Sequence, residues 1–285
     1  AALARALPAD IDAAAEAVGA GLAQVGDMMV MYGTTMFFIN VTSRLIISKE
    51  LWASVYCIPG MFVVSGGMAT TGAITRWFRD ELALDLVEKE RLTQYSAYNA
   101  LTLEAYQSPA GSRGLLVLPY FSGERTPIND PQARGIIAGL TLAHKRGDLF
   151  RAILEGTAFG ARHHIETMAE LGVMPQRLVA VGGGTRSPLW VQIVSDVTKM
   201  PQEMYPGNPG ACYGDAFLAA FGVGTFTHLR DIRNKWLGEG IVVSPAGGAV
   251  ADFYDDLYGL YRELYRATRE IMHRLASIQD LDRGR

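Results

Sequence analysis

Apolar positions fall into strand-like runs in the first quarter of the chain and into helical spacing through much of the remainder. Residues 28–41, MMVMYGTTMFFINV, hold two apolar runs on either side of Gly33-Thr34-Thr35. Two β-prone runs joined by a short glycine-containing turn predict a hairpin. A second pair of apolar runs lies at 52–57 and 61–65, interrupted by Pro59 and Gly60, and Gly66 and Gly67 are expected to end these strands. From Thr71 apolar residues recur at helical spacing through Leu86, and a more polar helical stretch continues to about Tyr106. Residues 108–114 read as a loop. A buried-type strand is expected at 115–121, an irregular Pro-, Gly- and Asn-rich segment at 122–135 and a strand at 136–142. Next come a long helix over 148–171, a strand at 177–181 running into three glycines, and a helix over 187–199. A short strand at 202–205, a small-residue helix over 211–221 and an amphipathic helix over 251–278 complete the pattern. Ahead of the hairpin, the Ala-rich stretch 12–23 predicts a further helix. Strands first, then strands alternating with helices, predict an α/β layered domain with a mixed sheet.

Composition narrows the class. The chain has 285 residues, 49% hydrophobic and 19% charged, enough apolar material for one large domain and too little charge for a disordered chain. The formal net charge is -3 and Lys and Arg are scattered, so the basic face of a general nucleic-acid binder is not expected. No run of 18 apolar residues occurs, so no membrane span is expected, and the N-terminus lacks the basic start and apolar run of a signal peptide. Cys57 and Cys212 form no disulfide framework and are expected to be two reduced, buried thiols, as the cytoplasm keeps them. The five histidines include no HExxH and no i,i+4 pair, so no metal site built from protein ligands is expected.

Four places carry candidate chemistry. The Tyr32-Gly33-Thr34-Thr35 turn is either a plain tight hairpin or a nest of N–H and hydroxyl donors suited to phosphate oxygens. Gly182-Gly183-Gly184, after a strand and before a helix, is either a plain βα turn or a polar-ligand site at a helix N-terminus. It fits neither the GxxxxGK[ST] nor the GxGxxG pattern. Glu124 and Arg125, in an irregular loop after a buried strand, either orient a substrate or form a surface ion pair. Asp12 is either a helix N-cap, as Asp10 could equally be, or a general base.

Taken in order, D-A-A-A-E-A, Y-G-T-T, T-G-A-I-x-x-W-x-R-D, G-E-R-T-P-x-x-D-P, V-G-G-G-x-R-S-x-x-W-x-Q-x-x-S-D and G-D-A-F-L-A-A resemble the C-terminal half of the FGGY carbohydrate kinases, the xylulokinases and ribulokinases in particular, from about Asp12 onward. The resemblance implies an α/β, actin-like ATPase (ribonuclease H-like) domain, a mixed sheet flanked by helices, facing a second domain across the active-site cleft. It divides the chain into 1–24, a remnant of the N-terminal kinase domain carrying the candidate base, and 25–285, the nucleotide-binding domain. ATP would sit mainly on this half, its phosphates at Gly33 and Thr34, with Gly72 and Arg76 near the nucleotide. Gly183 would cover the adenine and ribose, with Gly182, Gly184 and Ser187 beside it. Asp12 matches the base that takes the sugar hydroxyl proton as it attacks the γ-phosphate, and Mg2+ would neutralise the phosphates. Glu124 and Arg125 match a signature loop that shapes the cleft.

Two features depart from the family pattern. The N-terminal domain, with most sugar contacts, a first phosphate loop and a Mg2+-binding carboxylate, has no counterpart here. ALARALPAD also stands where the family has an apolar strand and glycine turn before the base. The expectation is therefore an excised or truncated half of a cytoplasmic pentulose kinase. Its partners are a sugar and the missing N-terminal domain, with no nucleic acid and no membrane; alone it folds and does not phosphorylate sugar. The alternative is a catalytically inactive nucleotide-binding or self-associating module, a homodimer formed through an exposed apolar cleft wall.

Overall fold

The hairpin expected at 28–41 forms the middle of a seven-stranded sheet. The computed structural model describes residues 12–206 and 210–283; Asp10 lies outside them. The strands are β1 (Asp27–Tyr32), β2 (Met36–Thr42), β3 (Trp52–Val55), β4 (Phe62–Met68), β5 (Leu116–Leu118), β6 (Ile136–Ala138), β7 (Arg177–Val181), β8 (Gln202–Met204) and β9 (Ile241–Val243). The helices are α1 (Asp12–Gly19), α2 (Gly72–Leu82), α3 (Leu84–Thr93), α4 (Ala97–Tyr106), α5 (Arg146–Glu170), α6 (Pro188–Thr198), α7 (Ala211–Gly222) and α8 (Gly248–Arg283). The main sheet runs β3-β4-β2-β1-β7-β8-β9, and β5 pairs with β6 separately. β1, β2 and β4 are antiparallel, whereas β7 adds to β1, and β8 to β7, in parallel. The sheet is therefore mixed, as expected.

Alternation along β1 sorts its side chains onto two faces. Met28, Val30 and Tyr32 enter one core with Met36, Phe38, Val64 and Met68. That core is covered by α2, α5, α6 and α8 through residues such as Phe78, Ile153, Val194 and Tyr261. Met29 enters the other core with Ile39, Val41, Val63 and Val179, covered by Ala17 and Val18 of α1, by Leu22 and by Phe217 of α7. α1 and α7 pack so closely that a Cβ on Gly214 would overlap the carbonyl oxygen of Ala15. The buried Asp27 carboxylate accepts the N–H groups of Ala23 and Gln24 at 2.9 Å each, which ties the segment after α1 to the start of β1.

Several expectations need correction. Gly66 and Gly67 do not end β4; the strand runs through both. A Cβ on Gly66 would stand 2.7 Å from the His164 ring and 2.8 Å from the Thr126 hydroxyl, so the glycine admits α5 and the 122–130 loop against the strand. The helix expected through Leu86 breaks at Ala83, whose φ of -135° and ψ of 39° are not helical. The strands at 115–121 and 136–142 shrink to three residues each, and the second stops at Gly139, where φ is 90°. The helix at 12–23 ends at Gly19, and Gly21 has φ 81°. The edge strand β9 has no counterpart in the predicted pattern. Cys57 is buried, and burial pushes its thiol up to about 11, but Cys212 is exposed on α7, whose first turn turns it outward.

Candidate functional site

The hairpin turn is fixed from outside by the start of α2. Gly72 N–H donates to the Gly33 carbonyl at 3.0 Å, and Thr71 N–H and Ala73 N–H donate to the Thr34 carbonyl at 3.1 and 3.0 Å. The Thr71 hydroxyl adds a 3.2 Å bond to the Gly33 carbonyl. A Cβ on Gly72 would collide with that same carbonyl, so only glycine lets the helix close on the turn. With both carbonyls drawn toward α2, no described residue takes the N–H or the hydroxyl of the exposed Thr34.

The triple glycine stands beside this turn. β7 ends at Val181, and Gly182, with φ 92°, starts a 3-10 turn over Gly183–Arg186. Ser187 then caps α6, its hydroxyl accepting the Trp190 N–H at 3.4 Å, with Pro188 at the first helical position. Trp190 and Tyr32 lock the two turns together. The rings meet edge to face at 5.3 Å, Trp190 Nε1 donates to the Thr157 hydroxyl at 2.9 Å, and the Tyr32 hydroxyl donates to Gln202 at 2.7 Å.

Between these turns and α4 lies a cleft of about 670 Å³. Gly33, Thr34, Gly72, Gly183, Gly184 and Ser187, from three separate segments, line it together. Gly182 does not; it backs the turn against the Tyr32 backbone. Arg76 is exposed on α2 and outside the lining. Asp12 is exposed at the start of α1, outside the lining, with its Oδ1 accepting the N–H of Ala13 at 2.8 Å. Burial and the Asp12 charge together raise the Glu16 carboxyl above the ordinary range. Sequence reasoning missed the far wall, where α4 presents Ser96, Asn99 and Thr102 beside Tyr95. Their i, i+3, i+6 spacing puts them on one helical face, but nothing local distinguishes that face from a solvated one.

The lining is rich in glycine, hydroxyl and amide groups, contains Arg186, and has no carboxylate. A glycine-lined concavity at the start of two helices, with outward N–H groups and no negative charge, suits a phosphorylated ligand. Glu124 is not half of a surface ion pair. It is 6% exposed, Arg125 is exposed, and burial pushes the Glu124 carboxyl up to about 8 against the pull of the backbone N–H groups it accepts.

The mixed sheet flanked by helices is that of an actin-like ATPase fold. Residues 28–223 match the FGGY family of carbohydrate kinases, C-terminal domain, and the chain belongs to that family. It is 30% identical to the xylulose kinase of Escherichia coli (strain K12) over 73% of this chain and 41% of that protein. With the xylulose kinase of Bacillus subtilis (strain 168) identity is 28%, over 94% of this chain and 52% of the relative. Among solved structures, the xylulose kinase from Rhodospirillum rubrum superposes with a TM-score of 0.81 at 34% identity, covering 91% of this chain and 51% of that one. The chain thus spans about half the length of the relatives it matches.

Proposed function

We propose that this chain is the nucleotide-binding half of an ATP-dependent kinase that phosphorylates a pentulose such as xylulose. The observation that carries this reading is the convergence of Gly33, Thr34, Gly72 and Gly183 on one carboxylate-free cleft. Relatives named for xylulose, ribulose and gluconate kinases support a sugar as acceptor, the xylulose kinases foremost.

ATP is the phosphoryl donor and enters as substrate. Its phosphates meet the Thr34 N–H and hydroxyl at the hairpin turn, and its base and ribose extend under Gly183 toward α4, with Gly184 and Ser187 alongside. Such donors are already oriented before the ligand arrives, which is what electrostatic catalysis requires. No group of three or more His, Cys, Asp or Glu able to hold a metal occurs among the described residues, and the cleft lining has no carboxylate. These residues supply no ligand set for Mg2+, which would arrive with the ATP phosphates and neutralise their charge. Asp12, exposed at the start of α1 and outside the cleft lining, is the proposed base for the sugar hydroxyl, on the segment 1–24 that precedes the nucleotide-binding domain at 25–285.

Amide hydrogen exchange with and without MgATP tests the placement. Protection of residues 33–35, 71–73 and 183–187, with no change in β9 or α7, is the expected pattern. Protection confined to other elements would contradict it.

A further inference from the structure

The 122–130 loop bonds the strap that joins β4 to α2, and the strap holds the hairpin turn. Glu124 Oε1 accepts the N–H of Ala69 at 2.7 Å and that of Arg125 at 2.8 Å. The Thr126 hydroxyl accepts the N–H of Gly67 at 2.7 Å, and the Thr70 hydroxyl donates to the Pro119 carbonyl. Residues 67 and 69 are thus pinned to this loop, and residue 70 to Pro119 just ahead of it, immediately before the three residues, 71–73, whose N–H groups hold the carbonyls of Gly33 and Thr34. The loop is itself anchored at its far end. Glu124 N–H donates to the Asp130 carbonyl at 2.8 Å, and the buried Asp130 carboxylate meets Tyr265 at 2.8 Å, His273 at 2.8 Å and Arg269 at 3.7 Å, all on α8. The path from α8 to the hairpin turn is continuous: Asp130, Glu124, Ala69, Thr71, Gly33.

We propose that Glu124 is a positioning residue for the phosphate-binding turn, holding the β4–α2 strap so that Thr71, Gly72 and Ala73 can fix Gly33 and Thr34. It acts through hydrogen-bond acceptance from partly buried backbone N–H groups and touches no ligand. Leaving such donors without an acceptor is costly, so the strap relaxes when the acceptor is removed. The role rests on the nucleotide reading of the cleft, but its mechanical part does not depend on a ligand.

The distinction between acceptance and charge supplies the test. Glu124→Met keeps the volume and removes both oxygens; Glu124→Gln keeps a carbonyl oxygen able to accept both N–H groups. Native-state exchange at the amides of Ala69, Gly72 and Ala73 is read first, without ligand. It should speed up about tenfold or more in Glu124→Met and stay near wild type in Glu124→Gln. MgATP affinity should fall about tenfold in the first variant and be kept in the second. Unchanged exchange at Gly72 and Ala73 in Glu124→Met would overturn the proposal. A Glu124→Gln variant as loosened as Glu124→Met would also overturn it, since charge rather than acceptance would then be required. A wild-type chain that bound no MgATP would overturn the nucleotide reading instead, with the exchange comparison still deciding the tether.

Discussion

Single residues in this domain are chosen for what they leave unfilled or unprotonated. His164 is the clearest. Its ring stacks on Phe38 at 4.3 Å, Nδ1 lies 2.8 Å from the Gly160 carbonyl and Nε2 lies 2.9 Å from the Thr126 hydroxyl. A carbonyl can only accept, so Nδ1 carries the proton and Nε2 takes the hydroxyl of Thr126. Burial drives the ring's pKa down to about 4, against the pull of the Gly160 and Thr126 bonds. The folded value lies below the ordinary 6.5, so the stability it gives is fully present above pH 6.5 and is lost as pH falls toward 4. The size of that loss is on the order of 3 kcal/mol. His163, lowered by burial to about 3, acts in the same direction. Glu124, raised to about 8, acts in the opposite one: its contribution is present below pH 4.5 and fades as pH rises through 8. In a proton NMR titration the His164 ring signals should hold still from pH 8 down to about 5. A midpoint near 6.5 would contradict this account.

At the scale of elements, what the sequence showed and what it hid divide by whether the signal is local. The hairpin, α5 and α6 were legible because periodicity, a glycine turn and the cap at Ser187 all lie within the segment itself. α6 even begins and ends where its flanking residues say, with Ser187 as cap and Lys199 in the left-handed region at φ 59°. The continuation of β4 through Gly66 and Gly67 was hidden, because the reason for those glycines is a distant helix and loop. The far cleft wall on α4 was hidden for the same reason. α1 and α7 offer a direct test of such tertiary constraints. Gly214→Ala places a methyl against the Ala15 carbonyl, and overpacking of this kind costs about 1–3 kcal/mol. Thermal unfolding should show a clear drop in Tm for Gly214→Ala and almost none for Gly259→Ala, where a Cβ meets open space. Equal behaviour of the two variants would mean that α1 does not depend on this close approach.

For the whole molecule, the ordered motifs had already indicated the fold and the family, and the cleft gathers six of the nine singled-out residues. Gly182, Arg76 and Asp12 stay outside its lining, for different physical reasons. Gly182 supplies the bend behind the turn, Arg76 is exposed on α2, and Asp12 starts a helix that packs on the opposite face of the sheet. α5 and α8 are further joined by a buried network. Glu155, 2% exposed, accepts from Arg151, Ser112 and Tyr254 at 2.8 Å each, which ties α5 and α8 to the 108–114 loop.

In the proposed function, ATP sits against the triple-glycine turn. Gly183 is the position to test, because a Cβ there meets nothing within 4 Å and its φ is not left-handed, so a side chain is admitted without disturbing the fold. Calorimetric titration with MgATP of the wild-type chain and of Gly183→Asp, which sets a carboxylate where the ligand's negative charge would lie, is the most direct measurement. The account predicts binding by the wild type and at least about a tenfold loss in Gly183→Asp at unchanged Tm. Equal binding by both chains would contradict it.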